Sequence, residues 1–244
     1  MYTFDSRIRF SEVDKDAILT IESLIDYFQD CSTFQTQDGP ATMEYLREKN
    51  LAWVINFWQI EIMRLPKLCE HVTIGTIPYK LESFFGLRNF FMDTREGERL
   101  AVANSVWTLF DFEKSVPSRI TPEILAAYPI ETCLDMEYAR RKISVPEDGQ
   151  VITGEEIVVK THHLDTNNHV NNGQYIKMAI NAVPDKNIEV RSMKVEYRKQ
   201  ARLGDVLRTE IVKVSKNDRM AYTISLKDKD GSPACIVQLG GGAQ

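Results

Sequence analysis

The sequence has no surplus of positive charge: Lys and Arg total 30 against 35 Asp and Glu, a formal net charge of -5. That argues against a general nucleic-acid binder, although a local basic patch for an acidic partner is still allowed. No apolar run approaches the roughly 20 residues that a membrane-spanning helix needs. The N-terminal stretch Met1-Tyr2-Thr3-Phe4-Asp5 has no basic region leading into an apolar one, so a cytoplasmic protein is expected. Cysteine is scarce: Cys31, Cys69, Cys133 and Cys235 lie far apart, and no pair has C-x-x-C spacing. Buried, reduced thiols are expected rather than a disulfide frame or metal knuckle. What is present is an ordinary globular composition, 43% hydrophobic over 244 residues, enough for one large domain or two small ones.

Strand-like segments dominate. Val72 to Ile77 alternates, Ala101 to Phe112 is rich in Val, Trp, Leu and Phe, and Val206 to Val214 and Met220 to Leu226 follow suit. Glu96-Gly97 and Asp230-Gly231 read as hairpin turns. Asp228 to Gly231 lacks the third acidic ligand and closing Glu of a calcium loop, so it too reads as a turn. One long helix follows the cap Thr20, with Ile21, Leu24, Ile25, Phe28 and Cys31 at helical spacing. A second is expected after Asn171, carrying Tyr175, Ile176, Met178 and Ala179, with Pro184 limiting it.

These pieces repeat. Asp14 falls on Asp165 and Thr20 on Asn171, both at an offset of 151 residues. Further on, Glu61 falls on Glu196 at an offset of 135, and Leu68-Cys69-Glu70 on Leu203-Gly204-Asp205. The shared order implies two matching α+β units, residues 1–130 and 155–244, joined by a Pro-containing link at 131–154.

Just ahead of the second helix, Asp165, Asn167 and His169 alternate. In an extended segment they would project together, beside the backbone N–H groups of Val170 to Gly173 as oxyanion donors. A carboxylate, an amide and an imidazole can activate water and protonate a leaving group. Asn and Asp before a helix also serve purely as turns and caps. His162, His163 and His169 suggest a metal site, but adjacent histidines converge poorly on one ion and no acidic or Cys partner is spaced to complete it. The repeat weighs for chemistry: Asn167 and His169 match Asp16 and Ile18, so the first half keeps the scaffold and lacks the imidazole. One centre per chain follows.

The run His163-Leu164-Asp165-Thr166-Asn167-Asn168-His169-Val170-Asn171-Asn172-Gly173-Gln174-Tyr175-Ile176 resembles the signature of the acyl-acyl-carrier-protein thioesterases. Val195-Glu196-Tyr197-Arg198-Lys199-Gln200-Ala201 resembles that family's second block. The resemblance covers nearly the whole chain. It implies a tandem double hotdog, with two long helices each packed on a shared, curved antiparallel sheet. It also implies catalytic roles for Asp165, Asn167 and His169, and places Gln200 where plant members carry a glutamate. Ala201 stands where they carry a cysteine, so a Cys–His mechanism has no thiol at that position, and Cys235 reads as core.

The chemistry implied is hydrolysis of fatty acyl-acyl-carrier-protein thioesters without a cofactor. The partner would be acyl carrier protein bearing a phosphopantetheine-linked chain, and the hydrolase a monomer or homodimer. Asp165 would act as general base or nucleophile, with Gln200 holding the water or Asp165. An acyl-CoA thioesterase on the same fold and a non-catalytic acyl-binding protein are the alternatives. The family's acyl tunnel lies in the N-terminal hotdog, which makes Trp53, Phe57, Trp58, Phe84, Phe85, Phe90, Phe91, Met43 and Leu51 to Ile55 candidates for its wall. Arg140-Arg141-Lys142, or Arg198, Lys199 and Arg202, would meet an acidic carrier.

Overall fold

The structure, a computed structural model, describes residues 1–185, 188–216 and 219–243. It divides into two units, Met1–Ala139 and Arg140–Gln244. No helix among the described residues is long and apolar enough to cross a membrane.

In the first unit β1 (Tyr2–Arg7) leads to helix α1 (Ile21–Asp38) and the short α2 (Met43–Glu48). Four long strands follow: β2 (Leu51–Ile62), β3 (His71–Glu82), β4 (Phe85–Thr94) and β5 (Arg99–Asp111). The two-residue β6 (Val116–Pro117) and helix α3 (Pro122–Ala127) close it. The strands run antiparallel in the order β1-β3-β4-β5-β2, with β6 on β5. Thr20 caps α1 by accepting from the Ser23 N–H, as its position in the sequence implies. The apolar face of α1 is fully buried at Leu24, Ile25, Phe28 and Cys31. Phe28 meets Phe90 and Trp58 at ring separations of 5.4 and 6.2 Å. Each such side chain contributes roughly 1.5–3 kcal/mol by leaving water, which holds the helix in the sheet as in a hotdog.

The second unit repeats this plan: β7 (Gln150–Val158), helix α4 (Asn172–Ala182), then β8 (Ile188–Tyr197), β9 (Val206–Lys216), β10 (Arg219–Lys227) and β11 (Pro233–Ala243). Its sheet order is β8-β11-β10-β9-β7, again antiparallel. Asn171 caps α4 through the Gly173 N–H. At 11 residues α4 is much shorter than the 18 of α1. Cys235 lies in β11, fully buried. Asp228 is a turn-former: its Oδ1 accepts the N–H groups of Asp230 and Ser232, and Gly231 takes a φ of 78°.

The stretch 131–154, which the sequence presents as a link, is built into both units. Residues 131–139 strap the outer face of the first. Asn89 Oδ1 accepts from the Leu134 N–H and the Tyr138 hydroxyl, while Gln59 donates to the Glu137 carbonyl and accepts from the Ala139 N–H. Leu134 and Met136 cover Ile77, Phe91 and Val102. In the second unit the Ile143 N–H donates to Glu196, and β7 begins at Gln150. Pro and charge mark this stretch as irregular, but its buried polar partners on β2 and β4 come from distant sequence.

Candidate active site

The Asp165–His169 segment is not extended. Leu164 and Val170 form a bridge that closes a tight loop, the Asp165 N–H donates to the His169 carbonyl at 2.8 Å, and Asn168 takes a φ of 60°. Asp165 Oδ1 holds the loop by accepting from the Asn167 N–H at 2.8 Å and the His169 N–H at 3.2 Å. An aspartate that satisfies backbone donors two and four residues on favours this turn over a strand. The side chains of Asp165, Asn167 and His169 therefore radiate from a turn: Asp165 and His169 are half-buried, and Asn167 is exposed.

The helix N-terminus is also not an open oxyanion hole at the expected positions. The Val170 N–H donates to the Ala201 carbonyl, Asn171 to His163 and Gly173 to the Asn171 side chain. Three of the four amides expected to meet an oxyanion are spent on anchoring the loop.

Gln200 is brought to the loop through its neighbour. Ala201 accepts from Val170, and its own N–H donates to the buried Tyr175 hydroxyl at 2.8 Å. Burial, with lesser contributions from nearby acids that include Asp165, holds the Tyr175 phenol well above its ordinary range, so it stays a neutral hydrogen-bonding post. The Gln200 side chain is exposed and has no hydrogen bond to Asp165, Asn167 or His169 among the described residues. Beside it, Arg198 is paired with Glu196 and Lys199 with Asp228.

His162 and His163 directly precede the loop, ring against ring at 4.1 Å. His163 Nδ1 accepts from the Lys160 N–H at 3.0 Å, so the neutral ring carries its proton on Nε2. Burial, then His162, Lys160 and Lys177, pulls the His163 pKa below the ordinary histidine value and keeps that neutral form. The sequence alone did not single out His163 for this; its place as third residue of a one-turn helix, facing back to Lys160, was the available signal. No group of three or more His, Cys, Asp or Glu that could hold a metal ion occurs among the described residues.

The candidate tunnel wall in the first unit divides. Phe57, Trp58 and Phe90 are fully buried, with Trp58 and Phe90 against α1; Phe91 lies under the strap on the opposite face; Met43 is exposed. The Arg88 guanidinium stands over the Phe90 and Tyr128 rings at 5.9 and 5.6 Å, and burial pulls its pKa down to about 10. The interior beside α1 is thus aromatic with one cation, not wholly apolar.

Residues 1–128 match the acyl-ACP thioesterase N-terminal domain family, and residues 147–238 the acyl-ACP thioesterase C-terminal domain family. The chain is 26% identical over 246 residues to acyl-[acyl-carrier-protein] hydrolase FATB3, chloroplastic, of Cuphea viscosissima, covering 94% of this chain and 59% of that one. It is 27% identical over 219 residues to oleoyl-acyl carrier protein thioesterase 2, chloroplastic, of Arabidopsis thaliana, covering 82% and 59%. The chain thus spans about three fifths of these relatives' length. Its fold is similar to a Lactobacillus plantarum protein provisionally named oleoyl thioesterase (TM-score 0.90, 23% identity, 99% and 96% of the two chains). It is also similar to the 12:0-ACP thioesterase from Umbellularia californica (TM-score 0.79, 21% identity, 98% and 95%). Both solved structures establish the double hotdog.

Proposed function

Because this chain belongs to the acyl-ACP thioesterase family, we propose that it hydrolyses fatty acyl thioesters carried on acyl carrier protein, releasing free fatty acid and ending chain elongation. One observation carries the assignment of the centre. Both units build the same aspartate-held loop, but only the second adds an amide and an imidazole, Asn167 and His169, where the first has Asp16 and Ile18. The first unit, with its aromatic interior, then holds the acyl chain.

In this reading Asp165 has two tasks. Oδ1 keeps the loop; Oδ2 activates water or attacks the carbonyl itself. Asn167 positions the thioester carbonyl. His169 handles the proton that the departing thiolate takes up as the C–S bond breaks. Gln200 reaches from the adjacent segment to hold the water. The Ala201 methyl offers no nucleophile.

Replacing His169 or Asn167 by Ala should lower kcat by about 10²–10⁴, the usual worth of a positioned acid–base group. Because neither side chain carries the loop's hydrogen bonds, the melting temperature should hold. Free-thiol release from acyl-carrier-protein and acyl-CoA substrates of one chain length gives the first measurement. No release from either removes the hydrolase reading; equal kcat/KM on both removes the carrier preference.

A further inference from the structure

The second unit contains an open groove of about 760 Å³ between α4 and the β7–β9 edge. It does not include Asp165, Asn167 or His169 among its lining residues. The internal repeat offers a comparison, because the first unit fills the matching positions with aromatic rings.

In the first unit Phe4 stacks on Tyr27 at 6.2 Å and meets Phe34 edge-on at 5.2 Å. The Tyr27 hydroxyl donates to Glu12 at 2.7 Å and is in hydrogen-bond contact with Ser6. Adding the offset of 151 puts Glu155 at Phe4, Met178 at Tyr27 and His163 at Glu12. Helix α4 ends at Ala182, before the position that matches Phe34. The aromatic plug is gone and the helix that would carry its last member is shorter.

The charge changes as well. Asp26 and Asp30 on α1 are matched by Lys177 and Asn181 on α4, both of which line the groove. A filled corner carrying Asp26 and Asp30 is matched by an open one lined by one cation, Lys177, two amides, two imidazoles and one carboxylate, Glu155, on the β7 side opposite α4. His163 presents its Nε2–H as a donor, since Nδ1 is occupied by Lys160.

The floor of the groove differs between the units as well. At the offset of 135, Ile74 in the first unit is matched by Thr209, which also lines the groove. Ile74 is simply core. Thr209 is 3% exposed, and its hydroxyl has no hydrogen-bond partner among the described residues. A buried hydroxyl without a partner costs about 1–3 kcal/mol, so an apolar residue would serve better unless something bonds to it. Facing it, the β7–β9 ladder is broken by a bulge between Thr153 and Glu156. Gly154 permits that approach, because a Cβ there would lie 2.9 Å from the Thr209 Cβ. Bulges of this kind re-aim groups beside binding sites.

We infer that this groove is a binding site, separate from the Asp165–His169 loop, for an organic anion whose carboxylate or phosphate oxygens meet Lys177 and His163 while its body lies along Met178 and Ile157. The inference needs only binding and holds whether or not the chain hydrolyses thioesters.

Isothermal titration calorimetry on the full chain, with inorganic phosphate, 4′-phosphopantetheine and octanoate as probes, tests it. Saturable binding of at least one organic probe is expected. Binding should weaken by roughly tenfold or more in Lys177→Asp, which removes a charge-assisted contact, and in Met178→Tyr, which restores the plug. Competition by inorganic phosphate marks a phosphate ligand; binding of octanoate alone marks a carboxylate. Lys177 is exposed, and a parent-like melting curve for Lys177→Asp lets that variant decide the matter even if Met178→Tyr does not fold. No saturable binding of any organic probe, or an affinity in Lys177→Asp within about twofold of the parent, overturns the proposal.

Discussion

Asp14 and Asp165 hold their loops in the same way. Each Oδ1 accepts the backbone N–H groups two and four residues on, at 2.9 and 3.1 Å for Asp14 and at 2.8 and 3.2 Å for Asp165. The anchoring repeats as well: Leu19 donates to the Pro66 carbonyl as Val170 does to Ala201, both at 2.9 Å. Asparagine keeps an Oδ1 acceptor and loses the carboxylate, so it separates turn-building from chemistry. Asp14→Asn should leave stability and activity near the parent. Asp165→Asn should keep the melting temperature but lower kcat by about 10² or more. Alanine at either site should cost about 1–3 kcal/mol by stranding two loop amides. Chemical denaturation beside thiol-release kinetics measures all four; full activity in Asp165→Asn would reduce Asp165 to a turn-former.

The two loops differ in strain. Asn168 takes its φ of 60° with a side chain that suits the left-handed region; Ala17 takes 59° without one. Ala17→Gly should therefore stabilise the first unit by up to about 1 kcal/mol. A lower denaturation midpoint in the glycine variant would show that the alanine carries no strain.

The repeat, the helix caps Thr20 and Asn171 and the strand segments were all legible in the sequence, because each rests on local spacing. The turn at Asp165 was not. Alternation of Asp165, Asn167 and His169 fits a strand as well as a turn, and the deciding hydrogen bonds run from backbone to one carboxylate oxygen. The loss of the Val170, Asn171 and Gly173 amides to internal acceptors was hidden for a related reason: Ala201 and His163 supply the acceptors for Val170 and Asn171, and only the fold places them there. The groove beneath α4 needed the structure too, since its orphan hydroxyl on Thr209 is visible only once β7 is seen to bulge opposite it.

The proposed Asp165 mechanism needs no thiol, and cysteine labelling tests that. Cys31 and Cys235 are buried, and burial pushes the Cys31 thiol up to about 12 and raises Cys235 as well. Cys69 and Cys133 are exposed, against the expectation of four buried thiols, because Cys69 sits in a turn with a φ of 68° and Cys133 in the irregular stretch after α3. Iodoacetamide on the folded protein should label Cys69 and Cys133 and spare the other two, since only an accessible thiolate reacts. Hydrolysis should survive the labelling. Mass spectrometry reads the sites, and loss of activity in step with labelling of Cys235 would contradict the Asp165 mechanism.

Acid should loosen the first unit through Glu70. Its carboxylate accepts two bonds from Arg64, at 2.7 and 3.2 Å, and one from the Lys67 N–H at 2.9 Å. The Arg64 bonds above all hold its pKa below the usual 4.5. A carboxyl depressed by folding contributes stability that is fully present above its unfolded value. That stability is lost as the pH falls through the folded one. Glu70→Gln should flatten the decline in unfolding free energy between about pH 5 and pH 3. Parallel acid limbs in parent and variant would assign that decline to other carboxyls.

If the chain takes a carrier-bound substrate as proposed, its exposed basic residues are the surface to test. Arg198 and Lys199 are committed to Glu196 and Asp228 within their own unit, and the second of these pairs holds the Asp228 carboxyl below its usual range. Arg140, Arg141 and Lys142 form an unbroken exposed basic run. Charges on a docking rim act mainly on association rate, and salt screens them. Reversing all three to Glu should lower kcat/KM for an acyl-carrier-protein thioester by about tenfold at low ionic strength, and by much less at about 0.5 M salt. The kcat should hold, because none of the three belongs to the Asp165–His169 loop. Hydrolysis of a short acyl-pantetheine, which carries no protein, should be unmoved. If carrier and pantetheine substrates fall together, the run acts on the fold of the second unit. If neither falls, the acidic carrier docks elsewhere, with exposed Arg202 as the next site to reverse.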